Sequence, residues 1–230
     1  MLQVTDASDV FPAQAPLFPL PDCALFPGQR LPLHVFEPRY LKMLCDAISG
    51  DRVIAVATLT PGYEPEYFTP RAPIYPVVGV GRIEAAQRAG EDAADILLCG
   101  VWRARIVAET RPRPYRVADL VRIESCADVP LRRAGRIATE LYDALQRALL
   151  AEGRFDPHMR SALDEAYWLG EATDIIAAAM PKTPETAQAL LGEAHAVRRA
   201  HLLTGFLNAL VSDAESRAPR CEGPPAWLLN

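Results

Sequence analysis

Four aromatic side chains in a proline-rich stretch are the residues of this sequence best suited to binding a partner. Tyr63, Tyr67, Phe68 and Tyr75 lie within residues 60–76, which also contain five prolines. Proline stiffens the chain, and rigid rings bury apolar groups of a partner at a low cost in conformational entropy. The stretch therefore predicts a loop that binds through its rings. The alternative is that the rings fold back onto the protein as a lid.

Residues that commonly catalyse reactions form no catalytic pattern here. The sequence lacks His-Glu-x-x-His, Gly-x-Ser-x-Gly and Gly-x-x-x-x-Gly-Lys-Ser/Thr, the patterns of metalloproteases, serine hydrolases and phosphate-binding loops. His195 and His201 are six residues apart, about 600° around a helix, and are poorly aligned for one metal. Five widely spaced cysteines without a Cys-x-x-Cys pair predict neither a disulfide framework nor a zinc knuckle. We expect no catalytic residue, metal or cofactor.

Composition and charge restrict the class of protein. The chain has 230 residues, half of them apolar, which is enough for one or two globular domains. A net charge of −5 disfavours a general nucleic-acid binder, because phosphate contacts require a basic surplus. There is no apolar run of membrane-spanning length, and the first residues lack the features of a secretory signal. We therefore expect a cytoplasmic protein without a membrane partner.

The elements that must position the rings are strands in the first half of the chain. Apolar runs and alternation predict strands at 17–20, 31–36, 53–59, 77–85, 96–99, 102–108 and 117–123. Pro38 fits the first turn of a helix that ends near Gly50. The five prolines predict no regular structure at residues 60–76. Gly79 and Gly81 share one strand face, which predicts either tight curvature or close backbone approach in a barrel.

After residue 131 the pattern changes to the 3.6-residue period of helices. Predicted helices cover 137–153, 156–169 and 174–180, a segment beginning at the Thr183 N-cap, and 192–213. The resulting organisation is a flexible arm at 1–16, a β-rich domain at 17–125, a helical domain at 126–215 and a Pro/Gly-rich tail at 216–230. The tail contains Trp227-Leu228-Leu229, which either docks on a groove of this protein or a neighbour or stays disordered.

Residues 17–40 carry the most specific pattern in the chain. They combine two short apolar runs, a Pro-Gly turn and the sequence Glu37-Pro38-Arg39-Tyr40 at a helix start. This block resembles the opening of the substrate-binding domain at the N-terminus of Lon proteases, a domain that also occurs as a free-standing protein. Further stretches are similar to the same family, at 80–83, 97–106, 115–121, 190–193 and 198–207. The resemblance covers roughly residues 15–210.

The resemblance implies an α+β fold, with a PUA-like β pseudo-barrel followed by an α-helical bundle. It also implies a non-catalytic module that binds unfolded segments or specific client polypeptides. In the full-length proteases an ATPase and a peptidase follow this domain, but this sequence has no phosphate-binding loop. Its only lysines are Lys42 and Lys182, and neither lies in a serine motif. A separate ATPase or protease is therefore an expected partner, and proteolysis by this chain is not expected.

Two other functions stay open at this point. A concave pocket between the β and helical halves would suit a regulatory module that binds a small ligand. RNA binding is suggested by the PUA-like fold alone, and the acidic balance of the chain opposes it. For polypeptide binding, we expect the site at the aromatic loop and in the cleft between the two halves.

Overall fold

The computed structural model describes residues 10–90, 92–110, 114–153 and 157–217. Within these ranges, strands fill the first half and helices the second, which confirms the α+β prediction. The strands are β1 (Gln14–Leu20), β2 (Arg30–Val35), β3 (Val53–Leu59), β4 (Ile74–Arg88), β5 (Ala94–Thr110) and β6 (Val117–Ile123). The helices are α1 (Pro38–Ser49), α2 (Arg136–Ala151), α3 (Pro157–Glu165), α4 (Leu169–Ala179), α5 (Pro184–Gly192) and α6 (Ala196–Arg217).

The strands close into the expected pseudo-barrel. Their order is β2-β5-β4-β3-β1-β6, and β6 also pairs with β5, so five strands form a ring and β2 lies outside it. The β1–β3 pair is parallel, and the other pairs are antiparallel. Every residue of β3 is buried, as its continuous apolar run predicts. Ile54 packs in the cluster beneath α1, and Ala55 packs on the other face with Trp102 and Leu120.

The segment that carries Leu25 and Phe26 packs directly against β4 and β5. Both side chains are fully buried. A Cβ atom at Gly79 would lie 1.9 Å from the Leu25 carbonyl oxygen, and one at Gly100 would lie 2.1 Å from that of Phe26. Only glycine leaves room for backbone at this distance. The close approach predicted at Gly79 is confirmed, and Gly100 plays the same part on β5.

Several predicted strand limits are wrong. The strands expected at 96–99 and 102–108 form a single strand, β5, in which Val101 is an extra residue between two registers of β4 pairing. Gly100 and Val101 thus mark a β-bulge and not a strand end. The segment 60–76 is not wholly irregular, since it contains a 3₁₀ turn at Glu64–Glu66 and the first residues of β4. β1 begins at Gln14, inside the predicted arm. Residues 1–9 of that arm and residues 218–230 of the predicted tail, with Trp227-Leu228-Leu229, lie outside the described part.

The helix expected at 156–169 ends earlier than predicted, at Glu165, and residues 166–168 separate α3 from α4. The Glu171 carboxylate accepts the backbone N–H groups of Tyr167 and Trp168 at 2.9 and 3.4 Å. The first N–H of α4 bonds the carbonyl of Val129, far away in sequence, at 2.9 Å. These bonds stabilise the start of α4, which begins five residues earlier than predicted.

The last two helices also differ from prediction at their junction. α5 begins after the Thr183 cap, as expected, with the Thr183 hydroxyl accepting the Thr186 N–H at 3.3 Å. It extends to Gly192, where the final helix was expected to start, and α6 begins at Ala196. The helices pack around a buried core that includes Leu141, Leu145, Ile176, Leu203 and Leu207. No helix in the described ranges is long and apolar enough to cross a membrane.

Substitution of Gly79 by alanine should disrupt the barrel. The new methyl group would clash with the Leu25 backbone, which cannot rotate away, so the free energy of unfolding should fall by about 3 kcal/mol or more. Gly205→Ala in α6 is the control, because a Cβ there meets nothing within 4 Å. It should raise stability by about 0.5–1 kcal/mol through helix propensity. Urea denaturation measures both changes, and a near-neutral Gly79→Ala would contradict the close approach.

Candidate functional site

Three of the four predicted binding rings form one contiguous group. The ring centroids of Tyr63 and Tyr67 are 5.6 Å apart, and those of Tyr67 and Phe68 are 4.9 Å apart. These three rings are called the aromatic cluster below. Phe68 is 77% exposed, whereas both tyrosines are half-buried. The cluster thus has features of both alternatives, a binding loop and a lid. Two rings are partly packed on the protein, and one is exposed to solvent.

The aromatic cluster is anchored to the start of α1. Arg39 donates from Nη2 to the carbonyl oxygen of Tyr67 at 3.3 Å and is held by an ion pair with Glu37 at 2.9 Å. Within the loop, the Thr69 hydroxyl donates to the backbone and carboxylate of Glu66 at 2.8 and 2.7 Å. A loop fixed at several points loses less entropy when it binds than a free one.

Tyr75 does not join this cluster. It lies in β4, and its hydroxyl donates to Oε1 of Glu185 on α5 at 3.1 Å. No ring contact connects it to the other three aromatic side chains among the described residues. Tyr75 instead links the barrel to the helical half. The roles of all four rings in binding stay predictions.

A cleft lies where sequence reasoning placed the second binding surface, between the barrel and the helices. Its volume is about 560 Å³. Trp102 and Arg103 of β5 and Arg122 of β6 line one wall, and Trp168 and Asp174 line the other. Trp168 is 44% exposed. The walls therefore offer aromatic surface together with charged groups of both signs.

Two residues of this cleft, Arg103 and Asp174, belong to a buried ion cluster that also contains Arg199. The cluster has one residue each from β5, α4 and α6. Arg103 is 5% exposed and bonds Asp174 through Nη2, and Arg199, fully buried, lies 3.3 Å from the same carboxylate. Burial raises the pKa of Asp174, although the two guanidinium groups act in the opposite direction. Nε of Arg103 has no hydrogen-bond partner in the described part of the protein.

Neutral partners complete the hydrogen bonding of Arg199. Its Nε donates to the Thr173 hydroxyl at 3.0 Å, Nη1 to the Glu193 carbonyl at 2.7 Å, and Nη2 to the Ser125 hydroxyl at 3.2 Å. Sequence reasoning missed this residue, although a signal was present. Arg199 falls three positions after Ala196 and four before Leu203, on the apolar face of the helix. A charged residue on such a face indicates a buried ion pair.

Other contacts join the two halves nearby. Gln188 of α5 donates to the Thr58 hydroxyl of β3 at 3.1 Å in a buried position. Lys182 lies with Nζ 5.3 Å from the Phe26 ring centroid and donates to the Met180 carbonyl at 2.9 Å. Burial lowers the pKa of Lys182 to about 8. The junction between the halves is thus polar as well as apolar.

Neutralising the shared carboxylate should destabilise the protein strongly. Asp174→Asn keeps the shape of the side chain but leaves Arg103 and Arg199 buried without a counter-charge, so the free energy of unfolding should fall by about 3–5 kcal/mol. Asp143→Asn, on the exposed face of α2, should change it by less than about 0.5 kcal/mol. Chemical denaturation at pH 7 measures both variants, and equal effects would argue against an ion cluster that joins the halves.

The lowered pKa of Lys182 should make stability depend on pH in alkaline solution. In the folded chain Lys182 loses its proton above about pH 8, whereas in the unfolded chain it keeps the proton up to its ordinary pKa of 10.5. The unfolded state therefore binds more protons between these values, and the free energy of unfolding should rise with pH there. Relative to Lys42→Met, Lys182→Met should flatten this rise by roughly 1–3 kcal/mol. Urea titrations at pH 7, 8.5 and 10 test this; parallel profiles would contradict it.

Among the described residues, no group of three or more His, Cys, Asp and Glu side chains is arranged to hold a metal ion. Four cysteines in the described ranges are free thiols, and Cys221 lies outside them. The aromatic cluster and the cleft are therefore the two candidate binding surfaces on these residues.

Comparison with models of protein families shows to which family the chain belongs. The model of the ATP-dependent protease La (LON) substrate-binding domain matches residues 14–209. The chain belongs to this family. The resemblance first visible in residues 17–40 is therefore confirmed, and it extends through the barrel, the helices and most of α6.

Curated relatives of this LON substrate-binding domain are much longer proteins. Lon protease 2 of Myxococcus xanthus is 27% identical over 209 residues, which make up 86% of this chain and 24% of the relative. Lon protease of Anaeromyxobacter dehalogenans is also 27% identical, over 86% of this chain and 23% of its own length. The chain spans about a quarter of the length of these relatives.

Solved structures agree with the fold of the LON domain. The crystal structure of a Lon N-terminal domain protein from Xanthomonas campestris is 25% identical, with a TM-score of 0.62, and covers 84% of this chain and 98% of its own. The N-terminal domain of a Mycobacterium avium complex Lon protease has a TM-score of 0.63 over 85% of this chain and 98% of its own. At 13% identity, it supports the fold alone. The PUA-like β-barrel with a helical half is thus shared with both structures.

Proposed function

We propose that this chain binds unfolded or flexible polypeptide segments and that the aromatic cluster is the primary contact. The observation that carries the proposal is the 77% exposure of Phe68 on a loop that Arg39 and Thr69 hold in place. A rigid exposed ring on a well-fixed loop can bury apolar groups of a partner at a low cost in conformational entropy. Membership in the LON substrate-binding family supports a polypeptide as that partner.

The chemistry of the loop favours segments that combine apolar and basic residues. Phe68 and the partly exposed edges of Tyr63 and Tyr67 bury apolar or aromatic side chains of the client. Glu64 is exposed beside the rings, and Glu66 is half-buried next to Arg71, with Oε2 3.4 Å from its Nε. The carboxylate of Glu64 steers basic flanking residues toward the cluster. Native proteins expose such segments mainly when unfolded.

The proposed role includes no catalytic step by this chain. The curated relatives are named Lon proteases, and this chain matches about a quarter of their length. In the proposed role, the chain selects polypeptides in the cytoplasm, and a separate ATPase or protease acts on them. RNA binding is not proposed, because the net charge of −5 opposes phosphate contacts.

The cleft supports a second candidate, which is binding of a small ligand. The observation that favours it is a cavity of about 560 Å³ that is lined by Trp102 and Trp168 together with charged groups of both signs. The two candidates use different residues, so variants of the aromatic cluster separate them.

Removing Phe68 should weaken binding of an unfolded protein. Fluorescently labelled, reduced and carbamidomethylated lysozyme is a suitable probe, since it cannot refold and is rich in basic residues. Phe68→Ala should raise Kd at least about tenfold, because truncation of a central hot-spot ring commonly costs about 2 kcal/mol or more. The triple Tyr63/Tyr67/Phe68→Ala variant should abolish binding. Fluorescence anisotropy measures each Kd.

Leu202→Ala is the matched control, because Leu202 is also an exposed apolar side chain but lies on α6. It should bind the probe as tightly as the natural sequence does. Equal binding by Phe68→Ala and Leu202→Ala would rule out the aromatic cluster as the site. Failure of the natural sequence to bind any unfolded probe would rule out the proposed function itself.

A further inference from the structure

Two exposed carboxylates lie beside Tyr63, the first ring of the aromatic cluster. Glu64 follows Tyr63 in the chain, whereas Asp22 comes from the turn after β1. β1 and β3 are parallel neighbours, so the turn after β1 and the loop after β3 leave the barrel at the same end. The hydroxyl of Thr58 in β3 donates to the carbonyl of Cys23 at 2.7 Å and holds the turn there. Asp22 and the aromatic cluster therefore share one end of the barrel.

Neighbouring side chains do not balance the negative charge at Tyr63. The pKa of the Tyr63 phenol is raised, first by desolvation and then by the carboxylates of Glu64 and Asp22. The other acid of the loop, Glu66, is paired with Arg71 at 3.4 Å. Neither Glu64 nor Asp22 forms an ion pair with a cation in the described part of the chain. Two negative charges therefore remain beside this ring.

A nearby tyrosine shows the arrangement to which such charges are suited. The guanidinium carbon of Arg39 lies 4.6 Å from the Tyr40 ring centroid, and the Glu37 carboxylate bonds the same guanidinium group at 2.9 Å. The ring face and the carboxylate both attract the cation. Tyr63 has the ring and the carboxylates, but no arginine or lysine in the described ranges lies over it. A bound polypeptide can supply this cation through one of its own basic residues.

We propose that the Tyr63 ring and the carboxylates of Asp22 and Glu64 bind a lysine or arginine side chain of the client polypeptide. These three residues are called the cation subsite below. The inference rests on the proposed function, since the client must lie along the aromatic cluster. The apolar stem of a lysine or arginine packs on the ring while its charged end stays near the carboxylates. A neutral or acidic side chain gains no such attraction.

The distance to Phe68 limits where an apolar residue of the same client can bind. The Tyr67 centroid lies 5.6 Å from that of Tyr63 and 4.9 Å from that of Phe68, so the outer two centroids are at most about 10.5 Å apart. In an extended chain, alternate residues project from one face about 7 Å apart. A basic residue two positions from an aromatic or aliphatic residue therefore fits both rings. Unfolded segments with such a pair are the substrate class that the cation subsite selects.

Matched peptides test whether the charge is recognised. The probes are fluorescein-labelled peptides of glycine and serine that contain one phenylalanine and, two positions before it, either lysine or norleucine. Norleucine keeps the apolar stem of lysine and lacks the ammonium group. The lysine peptide should bind the full chain at least about threefold more tightly at pH 7, because the ring and the carboxylates attract its charge. A purely apolar surface would favour norleucine. Fluorescence anisotropy measures each Kd.

Variants of the cation subsite test where the preference arises. Asp22→Asn combined with Glu64→Gln should remove the advantage of lysine, and asparagine tolerates the positive φ of 48° at position 22. Tyr63→Leu should also reduce the advantage, since it removes the ring face and keeps an apolar side chain. Asp143→Asn is the control, because it removes one exposed carboxylate on α2, and it should leave the advantage unchanged.

Three results would overturn the cation subsite. The first is a norleucine peptide that binds as tightly as the lysine peptide or more tightly, and this result leaves polypeptide binding at the rings in place. The second is a lysine advantage that persists in the Asp22→Asn/Glu64→Gln variant or in Tyr63→Leu. The third is absence of binding by both peptides. In that case, binding of the reduced and carbamidomethylated lysozyme decides separately whether the proposed function fails as well.

Discussion

The arrangement of the two halves depends on one buried carboxylate. Asp174 of α4 lies between Arg103 of β5 and Arg199 of α6, so a single side chain joins the barrel to two helices. Taking three charges out of water costs more than their attraction returns, unless hydrogen bonds satisfy the remaining donors. Arg199 has such bonds on all three nitrogens. A different packing of the two halves would leave one of these charges buried without a partner, so the cluster restricts how the halves can pack.

β5 carries Arg103, the residue of the ion cluster that belongs to the barrel. At seventeen residues it is the longest strand, and it contributes to three separate features. Gly100 admits the Phe26 backbone, the bulge at Val101 changes the register against β4, and Arg103 then reaches Asp174. A bulge shifts by one residue which side chains face each side. The position of Val101 is therefore coupled to the burial of Arg103 and to the shape of the cleft.

The features of the fold that depend on local sequence patterns could be predicted from the sequence. The features that depend on contacts between distant residues could not. The barrel strands and α1 follow from alternation, apolar runs and Pro38, because these signals lie within each element. The position of the break between α3 and α4 depends on a hydrogen bond to Val129, which no local pattern contains. At the site, ring type and spacing predicted the Tyr63–Tyr67–Phe68 group. The anchoring by Arg39 and the separation of Tyr75 needed the tertiary structure.

The block that identifies the family also positions the rings. Glu37 and Arg39 belong to the pattern at residues 17–40, and Arg39 holds the carbonyl of Tyr67. Scaffold and binding surface are thus connected through one guanidinium group.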